Sequence, residues 1–146
     1  MKNILDALRE TEKIYRVNLT RITKNNGITI AEWQLLMQVA AGFDTQDKLA
    51  KAMALDNSTL SRQLSSLYKK QLVTNTAIGH DKRQLVYEVT DLGKQTLTAV
   101  TDAHEQFETS LFQLWDPEEE RMLQILLNRL EKSLSKVRTQ ANYLQK

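Results

Sequence analysis

The stretch DNSTLSRQLSSLYKKQLVTNTAIGHDKRQLVYEVT, residues 56–90, changes its period partway through. Leu60, Leu64 and Leu67 recur at helical spacing, whereas from Leu72 onward the chain is rich in Val, Thr, Ile and Tyr. The pattern predicts a helix capped by Asp56, then strands over residues 72–78 and 85–90 joined by a loop containing Gly79 and Asp81. A hairpin needs only a tight turn, and Asn-Gly would serve. The tip GHDKRQ, residues 79–84, instead carries Lys82 and Arg83.

Before this stretch, TQDKLAKAM at residues 45–53 reads as a short helix with Asp44 or Thr45 as cap, burying Leu49, Ala50 and Met53. A short helix, a break at Ala54 and Leu55, and a longer helix form a helix-turn-helix pattern. Upstream, TIAE at 29–32 is a capping box, with Thr29 and Glu32 satisfying each other's backbone donors. Trp33, Leu36, Met37 and Ala40 then fall on one face. A first helix is expected over about 2–24, ended by Asn25, Asn26 and Gly27. Downstream, a helix starts at Thr90 with Gly93 in its first turn. Its Leu97, Val100, Phe107, Leu111 and Leu114 follow 3/4 spacing, with His104 in the same stripe. In the last helix Asp116 caps, Pro117 occupies the first turn and three glutamates suit the positive helix end. Leu123, Leu127, Leu130, Leu134, Val137, Ala141 and Leu144 repeat in heptads.

These elements specify a mainly α fold with a small β-hairpin, a winged helix-turn-helix over about 29–93. Terminal helices over about 2–24 and 94–146 are assigned to dimerisation, and residues 1–146 are read as one domain. A last helix of roughly 45 Å is longer than a small winged helix can cover, so a second copy of the chain is the expected partner, the other reading being an intramolecular helical hairpin.

Composition narrows the chemistry. The 146 residues include no cysteine, which excludes disulfides, thiolate zinc sites and thiol redox sensing. With no apolar run near the ~20 residues of a membrane span and no continuous apolar leader, a cytoplasmic protein with no membrane association is expected. Net charge is +2, but residues 57–86 hold five basic residues and one acid, a net +4, and the remainder is −2. Charge alone fits either a local anion-binding face or a solvated charge run.

On the helix after Asp56, Ser58, Arg62, Ser65, Ser66 and Lys69 point away from the leucines, with Thr59 and Gln63 on the flanks. Arg62 has the donors for guanine and Gln63 for adenine, while Ser and Thr hydroxyls, Ser61 among them, suit phosphates. At the tip, Arg83 is the residue suited to a narrow minor groove, with Asp81 pre-ordering its guanidinium and Lys82 adding phosphate attraction. Double-stranded DNA is the implied partner. No catalytic constellation, phosphate loop or metal-ligand spacing is present. His80 and His104 are far apart in sequence, so no enzyme activity, cofactor or metal is expected. A small-molecule effector pocket is expected, if built, where the terminal helices meet the winged domain; Tyr15, Trp33, Met37 and His104 are of a suitable kind, with a place in the core as their default.

DKRQLVYEVTDLGK, residues 81–94, resembles the wing signature of the MarR family (multiple antibiotic resistance regulators). That signature is an Asp-x-Arg tip, an apolar strand, and Leu/Val-Thr-x-x-Gly opening the next helix. Asp81, Arg83, Val89, Thr90 and Gly93 match it. STLSRQLSSLYKKQLV resembles the family's recognition helix and following strand, and TIAEWQLLMQVA the helix with an aromatic before an apolar run. The resemblance implies a homodimeric DNA-binding regulator of a pseudo-palindromic operator, often a repressor released by a small ligand. The other reading is a winged-helix module that binds protein without specific DNA recognition. One departure stands out: glycine is usual where Gln71 stands, so the turn into the hairpin is expected to differ.

Overall fold

The computed structural model describes the backbone of residues 1–144 and the side chains of residues 1–137. The side chains of Ala141 and Leu144, expected in the heptad seam, lie outside the described residues. Elements run α1 (Ile4–Asn25), α2 (Ile30–Ala40), α3 (Gln46–Met53), α4 (Asn57–Lys69), β1 (Val73–Ile78), β2 (Gln84–Val89), α5 (Asp91–Leu111) and α6 (Pro117–Leu144). The chain divides into two compact units, Met1–Glu105 and Gln106–Lys146.

The first unit is a winged helix-turn-helix preceded by α1. Each helix start is fixed by a side chain. Asn3 accepts from the Asp6 N–H, Thr29 and Glu32 form the capping box, Thr45 accepts from the Lys48 N–H, and Asp56 from the Thr59 N–H. Such caps stabilise a helix by about 1 kcal/mol each and set where it begins. Leu35, Leu36, Leu49, Leu60, Leu64, Leu67 and Val100 are essentially inaccessible and form the core, with Trp33, Leu72, Val73 and Tyr87 around them.

Helix α2 departs from the one-sided face expected of it. Ala40 is exposed, while Leu35 and Val39 are buried along with Trp33 and Leu36. The physical reason is its central place: α2 packs against α1, α3, α4 and β2, so more than one stripe is covered.

The hairpin is antiparallel with Val73 opposite Val89 and Ile78 opposite Gln84. The Tyr87 N–H donates to the Asp44 carbonyl at 2.8 Å, tying β2 to the loop before α3. At its root the turn keeps the left-handed residue that glycine would supply: Gln71 itself adopts φ 62. The Leu72 N–H closes α4 on the Leu67 carbonyl at 3.0 Å, and the Thr90 hydroxyl donates to the Gln71 carbonyl at 2.6 Å. Gly93 is needed for close approach, because a Cβ there would collide with the Leu72 carbonyl and the Val89 side chain.

The second unit contains the end of α5 and all of α6. Asp116 accepts from the Glu118 N–H, and Pro117 opens the helix. Phe112 and Trp115 pack edge to face at 5.2 Å. No side chain among residues 106–137 is buried. Met122, Ile125, Leu126, Leu127, Leu134 and Val137 are each 44–62% exposed, and Leu123 and Leu130 are half-buried.

Candidate nucleic-acid interface

Three buried leucines fix the roll of α4, and the rest follows from 100° per residue. Leu60, Leu64 and Leu67 face the core. Ser58, Arg62, Ser65 and Lys69 are exposed on the opposite side, and Arg62, Ser65 and Lys69 line one shallow groove with Ser61 and Ser66. No acid follows the cap on this helix. Asp56 is held below the usual carboxylate range by the Thr59 backbone N–H first and by the Ser58 hydroxyl, which donates to it at 2.8 Å. Ser58 therefore offers lone pairs rather than a free proton to an incoming ligand.

The other expected contact residues are placed differently. Ser61 turns toward α3, accepting from Gln46 Nε2 at 2.8 Å, and the same amide reaches the Asn57 carbonyl at 3.3 Å. Thr59 is half-buried. Gln63 is also half-buried, with Oε1 sequestered from solvent and unpartnered. It shares a flank of α4 with Ser66 and Lys70, one turn apart, rather than the face carrying Arg62.

That flank holds a cluster the sequence reading missed. Glu32 is only 3% exposed. Its Oε1 accepts from the Thr29 N–H at 2.9 Å and from Lys70 Nζ at 2.7 Å, and its Oε2 accepts from the Ser66 hydroxyl at 2.8 Å. Lys70 Nζ also donates to the Gly27 carbonyl at 3.1 Å. Burial alone would raise the Glu32 pKa; the hydrogen bonds from Lys70, Thr29 and Ser66 outweigh it and hold the carboxyl below its ordinary value. The local capping signal was legible, but the pairing across 38 residues carries no sequence signal.

At the wing tip, Gly79 and Lys82 both take positive φ, 93° and 52°. Asp81 Oδ1 accepts from the Arg83 N–H at 3.4 Å, and Arg83 Nε lies 3.6 Å from Asp81 Oδ2. The Arg83 side chain is 87% exposed. Between the wing and the starts of α3 and α4 runs a groove of about 480 Å³, lined by Thr45, Gln46, Asn57, Arg83, Gln84 and Tyr87 with Asp47 as its one acid.

Tyr15, Trp33 and His104 come together in the first unit. Tyr15 OH lies 3.0 Å from His104 Nε2, and the Trp33 and His104 rings are 5.4 Å apart. Met37 packs against the core. Only Tyr15 of the four lines the groove of about 780 Å³ along α1 and α2, which has Leu19, Ile28 and Ile30 among its apolar walls and Glu12, Arg16 and Lys24 as its charged residues. Among the described residues no cluster of three His, Asp or Glu side chains is arranged to hold a metal, and no helix is long and apolar enough to cross a membrane.

Residues 26–84 match the model of the MarR family. An uncharacterised HTH-type transcriptional regulator of Bacillus subtilis, YxaD, is 34% identical over 86 residues, which cover 59% of this chain and 60% of that protein. The chain spans less than two thirds of the curated relatives it matches. Among solved structures, a mutant of Staphylococcus aureus MepR superposes with TM-score 0.77 at 21% identity, covering 91% of this chain and 99% of that one. The S. aureus MepR–DNA complex gives 0.74 at 21% identity, covering 90% and 96%. At these identities the superpositions show a shared fold alone.

Proposed function

We propose that this chain, whose winged helix-turn-helix segment belongs to the MarR family, is a transcriptional regulator that binds double-stranded DNA sequence-specifically as a homodimer. The carrying observation is the acid-free face of α4, with Arg62 and Lys69 exposed, set beside a wing whose exposed Arg83 lies 3.6 Å from Asp81. Arg62 reads base edges in the major groove, Arg83 enters the adjacent minor groove, and Lys69 and Lys82 take phosphates. The groove between α3, α4 and the wing seats the backbone strand between the two.

The dimer is supported by the exposed apolar side chains of α6 and by Ile4, Leu5, Ile14 and Val17 of α1, which are 55–76% exposed. Water-exposed apolar surface on this scale favours a second copy of the same helices. Two recognition helices then enter successive major grooves of a pseudo-palindrome, about one helical turn apart. Repression relieved by a small effector in the α1–α2 groove is the regulatory form assigned to it.

Selection of duplexes from a random pool with the purified chain tests the reading. Enrichment of an inverted repeat is the expected result. Salt-tolerant binding with no enriched sequence would overturn it in favour of a protein-binding winged helix.

A further inference from the structure

We infer that Glu32 is a specificity-determining positioning residue: it withholds the Lys70 ammonium from DNA phosphates and uses it, with Ser66, to fix the recognition helix against α2. The inference rests on the DNA-binding reading above and extends it to residues that touch no base.

The geometry is specific. Lys70 caps the C-terminal end of α4, next to Lys69, where a lysine would ordinarily add to the phosphate-binding charge. Its Nζ instead spends hydrogen bonds on Glu32 Oε1 at 2.7 Å and the Gly27 carbonyl at 3.1 Å. Ser66, one turn earlier, donates to the other carboxylate oxygen at 2.8 Å. Two successive turns of α4 are thus pinned to one carboxylate, itself anchored by the Thr29 N–H at the start of α2. A bidentate anchor of this kind resists rotation of α4 about its axis, and rotation is what would move Arg62 off its base. The pair is also closed to solvent on the acid side, with the Glu32 side chain 4% exposed and that of Lys70 39% exposed. The carboxylate therefore stays desolvated, while the released lysine would have water and phosphate within reach.

This arrangement makes a prediction opposite to that for an ordinary phosphate-binding lysine. Glu32→Gln keeps the capping box, since glutamine serves at that position, but removes the charge that holds Lys70. Binding to a random duplex should then tighten at low salt, with the slope of log K against log[salt] steeper by about 0.9. Between 50 and 200 mM salt that adds about a 3.5-fold loss of affinity. The ratio of selected-site to random-duplex affinity should fall. Lys70→Met should lower the same ratio while leaving the slope unchanged. A slope shallower by about 0.9 in Lys70→Met, or an unchanged slope and ratio in Glu32→Gln, would overturn the inference. Circular dichroism of each variant separates misfolding from these effects. If the wild-type chain binds no duplex, the proposed function fails, and the clamp is still read by carboxyl carbon-13 NMR. Lys70→Met then raises the Glu32 titration midpoint if the clamp exists and leaves it in place if it does not.

Discussion

The Thr90 hydroxyl holds the carbonyl of Gln71 at 2.6 Å, and Gln71 sits at φ 62, a left-handed backbone that side chains with a Cβ disfavour. That bond ties a strained residue at the root of the wing to the start of α5, while the Gln71 N–H donates to the Tyr68 carbonyl at 3.0 Å. Left-handed geometry costs a non-glycine residue about 1–2 kcal/mol, partly offset in glycine by its greater unfolded freedom. Gln71→Gly is expected to stabilise the chain by about 0.5–1 kcal/mol, seen as a rise of about 1–4 °C in thermal midpoint. A lower midpoint would show that the Gln71 side chain contributes more than its backbone costs.

Arg83 is the exposed arm of the wing, and Asp81 its only ion-pair partner among the described residues. Arg83→Ala should weaken binding to the selected duplex by about 1–3 kcal/mol, measured by fluorescence anisotropy at fixed salt. Asp81→Ala should cost less, because an exposed pair only reduces the ordering penalty of the arm. Equal affinity of wild type and Arg83→Ala would remove the tip from the recognition mechanism.

Helix α6 leaves Leu134 51% exposed in a single chain. Leu134→Lys should leave the winged unit folded and weaken self-association by about 2 kcal/mol or more, roughly thirtyfold. Sedimentation velocity across a concentration series checks this, with an unchanged dimer fraction as the contrary result.

Acid stability should depend on Glu32. Its carboxyl titrates below the ordinary 4.5 in the folded chain because hydrogen bonds outweigh burial. A depressed folded value means that its contribution is full above about 4.5 and is lost as the pH falls through the folded value. Urea midpoints measured from pH 6 to pH 3 should therefore fall more steeply for wild type than for Glu32→Gln. Parallel curves would show that the carboxylate has no net stabilising role.

The features written locally in the sequence are those the structure returns. Asp56, Thr45 and Thr29 cap helices because a cap is decided by a few adjacent residues, and the change from period 3.6 to period 2 after Leu67 marks the start of the hairpin. Burial of α2 was only half legible, since periodicity records one apolar face and α2 has neighbours on several sides. On α4, the outward residues were readable from the leucines, but the fate of Ser66 depends on Glu32 of another helix, and the half-buried setting of Gln63, with Oε1 unpartnered, is not written in its neighbours along the chain. The left-handed Gln71 could be located only as a departure, because a glutamine does not advertise a positive φ.

The two tryptophans divide between the two units, and this gives each unit an intrinsic optical reporter. Trp33 is 7% exposed against His104, whereas Trp115 is 41% exposed beside Phe112. The first emits from an apolar setting and senses the α2–α5 packing; the second senses whatever covers the α5–α6 turn. Single-tryptophan variants with phenylalanine at the other position separate the two emission bands. Events around His104 and at the α5–α6 turn can then be followed as separate signals, without a dye.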